Sequence, residues 1–482
     1  MPVLRPSRLL APLALVVALW SVYALESARW PVVMDNLRLG GTPATLYRGE
    51  APSGSLVIVA HGFAGSRQMM EAISLTLARA GHTVVAFDFI GHGRHPAPLS
   101  PAIGTLTSTT EDLVQQTVRV ARAAQQRTGI GEVSFVGHSM ATDVVVRAAE
   151  RIGDTGSVVA ISMYSEAVTP AHPARLLIVS GAFESRLRDV ALDAVAQLGP
   201  AEEGTTITTG ETARRAVSAP WVGHVGVLWS RSSLSEIAAW LGQETTPVRT
   251  GPWLLALLAA LVVLFRPVSQ IAPACVSVAS PQSLRRAALA ASVPAVAAAV
   301  AAMTALPLAG LAGFGGLALA LGVWGVLVLS VLRRVPRLAR RELMGALVLV
   351  TWGIGAFALA LDRYGAAFVP TGPRLLLAVL LLPACVVFAV ADRALVAGRG
   401  LLARIALRIP FVVALAVAMM ASPAQFGLVF TVLPVLALYW LVYGTMAMWL
   451  AKRSGPVAAG LGAGVILAWA IAASTPLFQG VS

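Results

Sequence analysis

The segment Gly137-His138-Ser139-Met140-Ala141 puts one serine between small residues, at the end of the apolar run 133–136. A serine hydroxyl is a poor nucleophile until a base takes its proton and dipoles face the charge that develops. A strand-turn-helix elbow supplies that geometry, holding the hydroxyl clear over the first N–H groups of the next helix. Four other segments could complete such chemistry. After the apolar run 56–60 comes His61-Gly62-Phe63-Ala64-Gly65-Ser66, whose glycine-rich turn can aim the Phe63 N–H into a crevice. With the N–H of Met140 it would form an oxyanion hole. After the run 83–87 comes Asp88-Phe89-Ile90-Gly91-His92-Gly93-Arg94, a second turn on the same rim. Gly181-Ala182-Phe183-Glu184 offers a carboxylate that can orient an imidazole, and Trp221-Val222-Gly223-His224 offers the imidazole. Glu166 is the rival carboxylate and Asp193 a more distant one. His138, beside the serine, reads as a packing or rim residue. His92 and His95 have no cysteine or carboxylate pattern nearby, so no metal site is expected.

These segments must sit at the ends of strands. Residues 30–245 alternate in that way: strands are expected at 56–60, 83–87, 133–136, 157–163 and 175–180. Helices are expected at 68–80, 111–126 (with Ser108, Thr109 and Thr110 available to cap it), 142–152 and 234–241. Strands alternating with helices of this length imply a mostly parallel sheet with helices on both faces.

The rest of the chain is of another kind. Of 482 residues 57% are hydrophobic and 12% charged, and the mean hydropathy is +0.77, too apolar for a water-facing surface throughout. Residues 1–29 read as an uncleaved signal anchor, 30–246 as the polar domain, and 247–482 as a transmembrane domain of about eight helices. Spans are expected at 252–265, 287–308, 311–332, 343–361, 375–391, 409–424, 427–450 and 455–474. The first of these rises only about 21 Å at helical pitch, short of a bilayer core. The net charge is +13, but residues 26–247 hold 17 Arg against 20 Asp and Glu. The excess cations sit in alternate links between apolar runs, a pattern of membrane orientation that argues against a nucleic-acid partner. It places residues 26–250 on the exoplasmic side of a plasma or bacterial inner membrane. Glu342, Asp362 and Asp392 fall at span ends, so the spans are expected to be almost free of charge, which argues against a pump. Cys275 and Cys385 are expected to be packing residues.

Taken together, residues 35–245 resemble the α/β-hydrolase superfamily. Gly137-His138-Ser139-Met140-Ala141 resembles its nucleophile elbow, with Ala141 in place of the last glycine, and His61-Gly62-Phe63-Ala64-Gly65 its oxyanion loop. Asp88 to Gly93 resembles its Asp-x-x-Gly-His-Gly turn, and the order of Ser139, Glu184 and His224 follows the family's order of nucleophile, acid and histidine. The resemblance implies an α/β-hydrolase fold joined to an α-helical transmembrane bundle. It implies that Ser139 attacks an acyl carbonyl, His224 carries the proton, Glu184 orients His224, and Phe63 and Met140 supply the oxyanion donors. No cofactor is implied. The short connection before residue 175 resembles the capless members, so the crevice is expected to be open, which suits a bulky or lipid-derived acyl substrate. Three readings stand: a membrane-bound serine hydrolase cleaving an ester, thioester or amide; an acyltransferase with the same residues; and a transporter or scaffold carrying a degenerate hydrolase domain.

Overall fold

The structure is a computed structural model. It describes residues 6–50, 54–100, 109–274, 282–334, 336, 338–423 and 426–480. Ser108 and Cys275 lie outside the described residues.

Helix α1 (Pro6–Arg29) leads into a nine-stranded sheet. Strands β1 (Val33–Leu39) and β2 (Thr42–Arg48) form a hairpin, and β3 (Leu56–Ala60) follows. Helix α2 (Glu71–Arg79) precedes β4 (Thr83–Phe87), and α3 (Thr109–Thr128) precedes β5 (Val133–His138). Then come α4 (Ala141–Ile152), β6 (Thr155–Ile161), β7 (Arg175–Gly181), α5 (Ser185–Ala196), β8 (Thr206–Thr209), β9 (Thr212–Ala219) and α6 (Arg231–Trp240). The order across the sheet is β1-β2-β4-β3-β5-β6-β7-β9-β8, and every pairing from β4 to β9 is parallel.

Period-two alternation explains how the sheet is covered. In β3, Leu56, Ile58 and Ala60 pack with α3, α4 and α5, while Val57 and Val59 pack with α2 and α6. All five are fully buried, so the strand is apolar end to end, as a central parallel strand must be. Each large aliphatic side chain buried this way contributes about 1.5–3 kcal/mol. The hairpin β1–β2, the pair β8–β9 and helix α5 were not anticipated. Strands β1 and β8 are the two edges of the sheet, polar and partly exposed, and β2 is buried between β1 and β4 but mixes Thr, Pro and Tyr with its aliphatic residues, so none carries a continuous apolar run.

Beyond the sheet the chain is helical: α7 (Gly251–Val268), α8 (Leu284–Met303), α9 (Phe314–Leu332), α10 (Arg340–Trp352), α11 (Leu359–Tyr364), α12 (Pro373–Val396), α13 (Leu401–Ala421) and α14 (Val432–Ser474). A π-helical stretch, Gly353–Ala358, joins α10 to α11. Among the described residues, eight helices are long and apolar enough to cross a membrane, α1 included and α10–α11 counted as one. Helix α14 has 43 residues, about 65 Å at helical pitch, and Gly455 breaks it with non-helical angles (φ 86°, ψ 166°) just before Pro456. The short apolar run 252–265 gains length because the helix continues past Arg266 and Pro267 into a 3₁₀ turn ending at Ile271.

Two boundaries differ from the sequence reading. The runs 287–308 and 311–332 lose their facing ends to a turn over 304–313, where Ala309, Gly310 and Gly313 take positive φ. More consequentially, the expected link 392–408 is largely helical. Arg404 and Arg408 belong to α13, and Asp392 is almost fully buried in α12. Asp392 accepts both Arg408 Nε and Arg408 Nη2 at 2.7 Å, and Arg393 Nη2 at 2.7 Å. A carboxylate between two guanidiniums removes the penalty that would expel each from an apolar bundle. Its removal would leave two enclosed cations. We expect Asp392→Ala to destabilise the protein by about 3–5 kcal/mol, read as a lower thermal unfolding midpoint in detergent; an unchanged midpoint would show that the cluster adds nothing.

Candidate active site

The loops that follow β3, β4, β5, β6, β7 and β9 share the carboxyl edge of the sheet. At the end of β5 the chain turns so sharply that Ser139 takes φ 52°, in the left-handed region. Small neighbours allow the turn. A Cβ on Gly137 would lie 2.7 Å from the Ala141 carbonyl and 2.8 Å from Val145 Cγ2. The Ser139 N–H donates to Ile161 O at 2.8 Å, and Ser139 O accepts from the Thr142 amide and hydroxyl at 2.9 and 2.7 Å. The backbone is therefore tied on both sides, and the hydroxyl points away from it.

Ser139 Oγ donates to His224 Nε2 at 2.8 Å, and His224 Nδ1 donates to Glu184 Oε1 at 2.6 Å. The carboxylate can only accept, which sets the proton of the neutral imidazole on Nδ1 and leaves Nε2 as the acceptor. Neither Glu166 nor Asp193 is hydrogen-bonded to His224 among the described residues; the Glu166 amide instead donates to Asp143. Glu184 also accepts the Gly181 amide at 2.6 Å and the Ser162 hydroxyl at 2.7 Å. Burial works to raise its pKa, but the donors from His224, Gly181 and Ser162 outweigh it and hold the carboxyl below its ordinary range. The loops carrying Glu184 and His224 are joined by backbone bonds, Ala182 N–H to Ala219 O and Phe183 N–H to Val222 O.

The loop 61–66 lies against the elbow: a Cβ on Gly62 would stand 3.1 Å from Ser139 Cβ. Neither the Phe63 nor the Met140 amide has an acceptor among the described residues, and Met140 precedes the first residue of α4. His61 fixes this loop, donating from Nδ1 to Gly62 O at 2.8 Å and accepting the Phe89 amide on Nε2 at 3.1 Å. Asp88 ties the loop to its neighbour. It is fully buried, ion-paired with Arg67, and accepts the amides of Arg67 at 2.9 Å and Arg94 at 3.0 Å.

Residues 55–200 match the α/β-hydrolase fold family. This part of the chain is an α/β-hydrolase-fold domain. No curated protein matches the chain. Among solved structures, a Thermus thermophilus protein is 22% identical, covering 44% of this chain and 99% of its own, with a TM-score of 0.32. A CIB-like hydrolase from Thermoplasma acidophilum is 14% identical over 41% of this chain and 90% of its own, also at 0.32. An epoxide hydrolase from Vigna radiata is 23% identical over 28% and 41%, at 0.23, so the chain spans about two fifths of its length. These likenesses carry no weight for activity.

Two contacts of the hydrolase domain were missed by the sequence. His138 donates from Nε2 to His224 O at 2.8 Å, with the rings 4.9 Å apart, so it steadies the loop bearing His224. Ser162 anchors Glu184 from the end of β6. Neither has a spacing signature, because both act across the sheet edge. Among the described residues, the connection from β6 to β7 carries no inserted helix. The His224 side chain is 46% exposed, and Trp221, Phe183 and Tyr164 are 86%, 70% and 61% exposed.

Burial lowers the pKa of His138 to about 4 and of His92 to about 3, and pushes His61 down as well. Each is therefore neutral in the folded state near pH 6.5, where the unfolded chain begins to take up protons. Their stabilising effect is complete above about pH 6.5 and is lost as pH falls toward 4. The thermal unfolding midpoint should drop between pH 6.5 and 4, and less steeply in His138→Gln. A pH-independent midpoint in the parent protein would contradict this.

Proposed function

We propose that the protein is a membrane-bound serine hydrolase that cleaves an ester, thioester or amide. The observation that carries this reading is the hydrogen-bond chain from Ser139 through His224 to Glu184, beside two free amides. In the first step Ser139 Oγ bonds to the acyl carbon while its proton passes to His224 Nε2. The carbonyl oxygen becomes an oxyanion facing the amides of Phe63 and Met140. Collapse of this intermediate breaks the bond to the leaving group, which takes the proton from His224. Water then repeats the sequence, His224 accepting its proton, and the acid departs with Ser139 restored. Glu184 stays a carboxylate and stabilises the imidazolium at each stage.

The rim supports a substrate class. Three large aromatic side chains stand exposed around the crevice, and exposed apolar clusters mark binding surfaces. Their character supports an acyl group with an apolar chain, drawn from the bilayer that the helices would span. The orientation is read from charge. Arg399 Nη2 donates to Gln282 O and Arg453 Nε to Ala272 O, so these basic links gather at one end of the bundle. Loops at the other end touch the hydrolase domain, which the positive-inside rule would place on the exoplasmic side.

A fluorophosphonate probe should label the full-length protein and fail to label Ser139→Ala; persistent labelling would point to another nucleophile. Glu184→Gln should lower kcat on an activated ester by about 10³–10⁴-fold, since an amide holds the wrong tautomer of His224. Loss of less than about tenfold would remove Glu184 from this role. If product analysis with added alcohols showed ester products in place of acid, the activity would be acyl transfer. For orientation, a reporter active only outside the cytoplasm should function when fused after Gly242, and silence there would reverse the assignment.

A further inference from the structure

The loop bearing one of the two proposed oxyanion donors is not held by the hydrolase domain alone. The Phe63 ring stacks on Phe430, from the turn before α14, with centroids 5.5 Å apart and planes 4° from parallel. Phe478, from the segment after α14, lies 6.1 Å away at 30°. His92 meets the same ring edge-on at 5.4 Å. Within the domain, His61 fixes the carbonyl of Gly62, but Phe63 itself is followed by Ala64 in a positive-φ conformation (56°). The Gly62 carbonyl and the Phe63 N–H belong to one planar peptide unit: His61 and the Gly65 amide hold its carbonyl edge, and the seated ring anchors the Phe63 Cα on its amide edge.

The seat is rigidly joined to the rim. Leu477 N–H donates to Gly91 O, Leu99 N–H to Leu477 O and Gln479 N–H to Leu99 O, each at 2.8 Å. A Cβ on Gly91 (φ 75°) would lie 2.7 Å from Leu477 O, so the tail approaches as closely as a glycine permits. Arg374, at the start of α12, donates to Gly91 O at 2.8 Å and to Thr475 O at 2.7 Å. The Ala367 amide donates to Ser66 Oγ at 2.9 Å, at the far end of the Phe63 loop, and Arg94 pairs with Asp362.

We infer that Phe430 is a positioning residue: by stacking on Phe63 it makes the helical bundle part of the oxyanion hole. This rests on the hydrolase reading above. The physical ground is that an oxyanion donor acts only at about 2.7–3.1 Å from the developing charge, and removing one costs about 10²–10³-fold in kcat. A donor left to wander loses part of that.

The test uses the full-length protein in detergent with a soluble short-chain activated ester, whose small acyl group does not need the bundle for binding. Phe430 is 51% exposed, so its truncation should leave the thermal unfolding midpoint unchanged. Phe430→Ala should lower kcat by about 10–100-fold, with KM within twofold. Affinity for a boronic acid that forms a tetrahedral adduct on Ser139 should fall by a similar factor. Phe430→Tyr, which keeps the stack, should restore both. An unchanged kcat in Phe430→Ala overturns the proposal, as does a loss confined to KM, which would make Phe430 a substrate contact. A loss that Phe430→Tyr does not restore also overturns it. Ser139→Ala, run alongside, reports separately on the hydrolase reading: if it retains activity, that reading fails whatever Phe430 does.

Discussion

A left-handed serine at the end of a buried parallel strand is costly, on the order of 1–3 kcal/mol for a residue that is not glycine. The chain holds Ser139 there because its surroundings leave no alternative. Gly137 cannot take a larger side chain, Ala141 closes the first turn of α4, and the serine amide and carbonyl are both bonded. The rest of the site is arranged to meet this one hydroxyl. Five other strands end on the same edge, each handing a loop to the crevice. Parallel pairing puts their carboxyl ends side by side, so residues up to 85 positions apart come within hydrogen-bond reach.

Loops so placed still need bracing, and most of the buried polar contacts near the crevice supply it. Asp88 joins the loop of Phe63 to the loop of Arg94 by accepting two amides and pairing with Arg67. His61 and His138 are imidazoles kept neutral by burial, each hydrogen-bonded to the backbone of a loop that carries a candidate site residue. The bundle adds a second brace from outside through Gly91, Ser66 and Phe63. The bundle therefore meets the hydrolase domain at the edge that carries the candidate site residues, and a shift of those helices would reach the rim through Gly91, Ser66 and Phe63.

The parts of this arrangement that were legible in the sequence are those with a local signature. The apolar run 133–136 before Gly-x-Ser-x-Ala announces the elbow, and glycine-rich turns after apolar runs announce the loops at 61–66 and 88–94. Their order along the chain, with the family resemblance, points to Ser139 and His224 and to Glu184 ahead of its rivals Glu166 and Asp193, and in the fold Ser139 Oγ lies 2.8 Å from His224 Nε2 and Glu184 Oε1 2.6 Å from His224 Nδ1. What was not legible acts over distance. Ser162, His138 and Phe430 have ordinary neighbours in the chain, and their roles exist only once strands and helices are packed. Asp392 shows the same limit in the bundle. In the chain it sits at the end of an apolar run, as a link residue would. Its burial depends on Arg408, sixteen positions later on another helix.

The choice of Glu rather than Asp at position 184 can be understood from the same contacts. A glutamate has one more rotatable bond than an aspartate, and that freedom must be removed for its oxygen to hold His224 steadily. The chain does so by bending the side chain back over its own loop, where the Gly181 amide and the Ser162 hydroxyl both bond to Oε2 and leave Oε1 for the imidazole. Gly181 also lets the histidine loop come close, since a Cβ there would stand 2.6 Å from Val222 O. The longer arm thus comes with its own clamp, and the clamp draws the acid and histidine loops together. Shortening the arm to aspartate would break the bonds that position it as well as move the carboxylate, so the acid and its loop have to be considered as one unit.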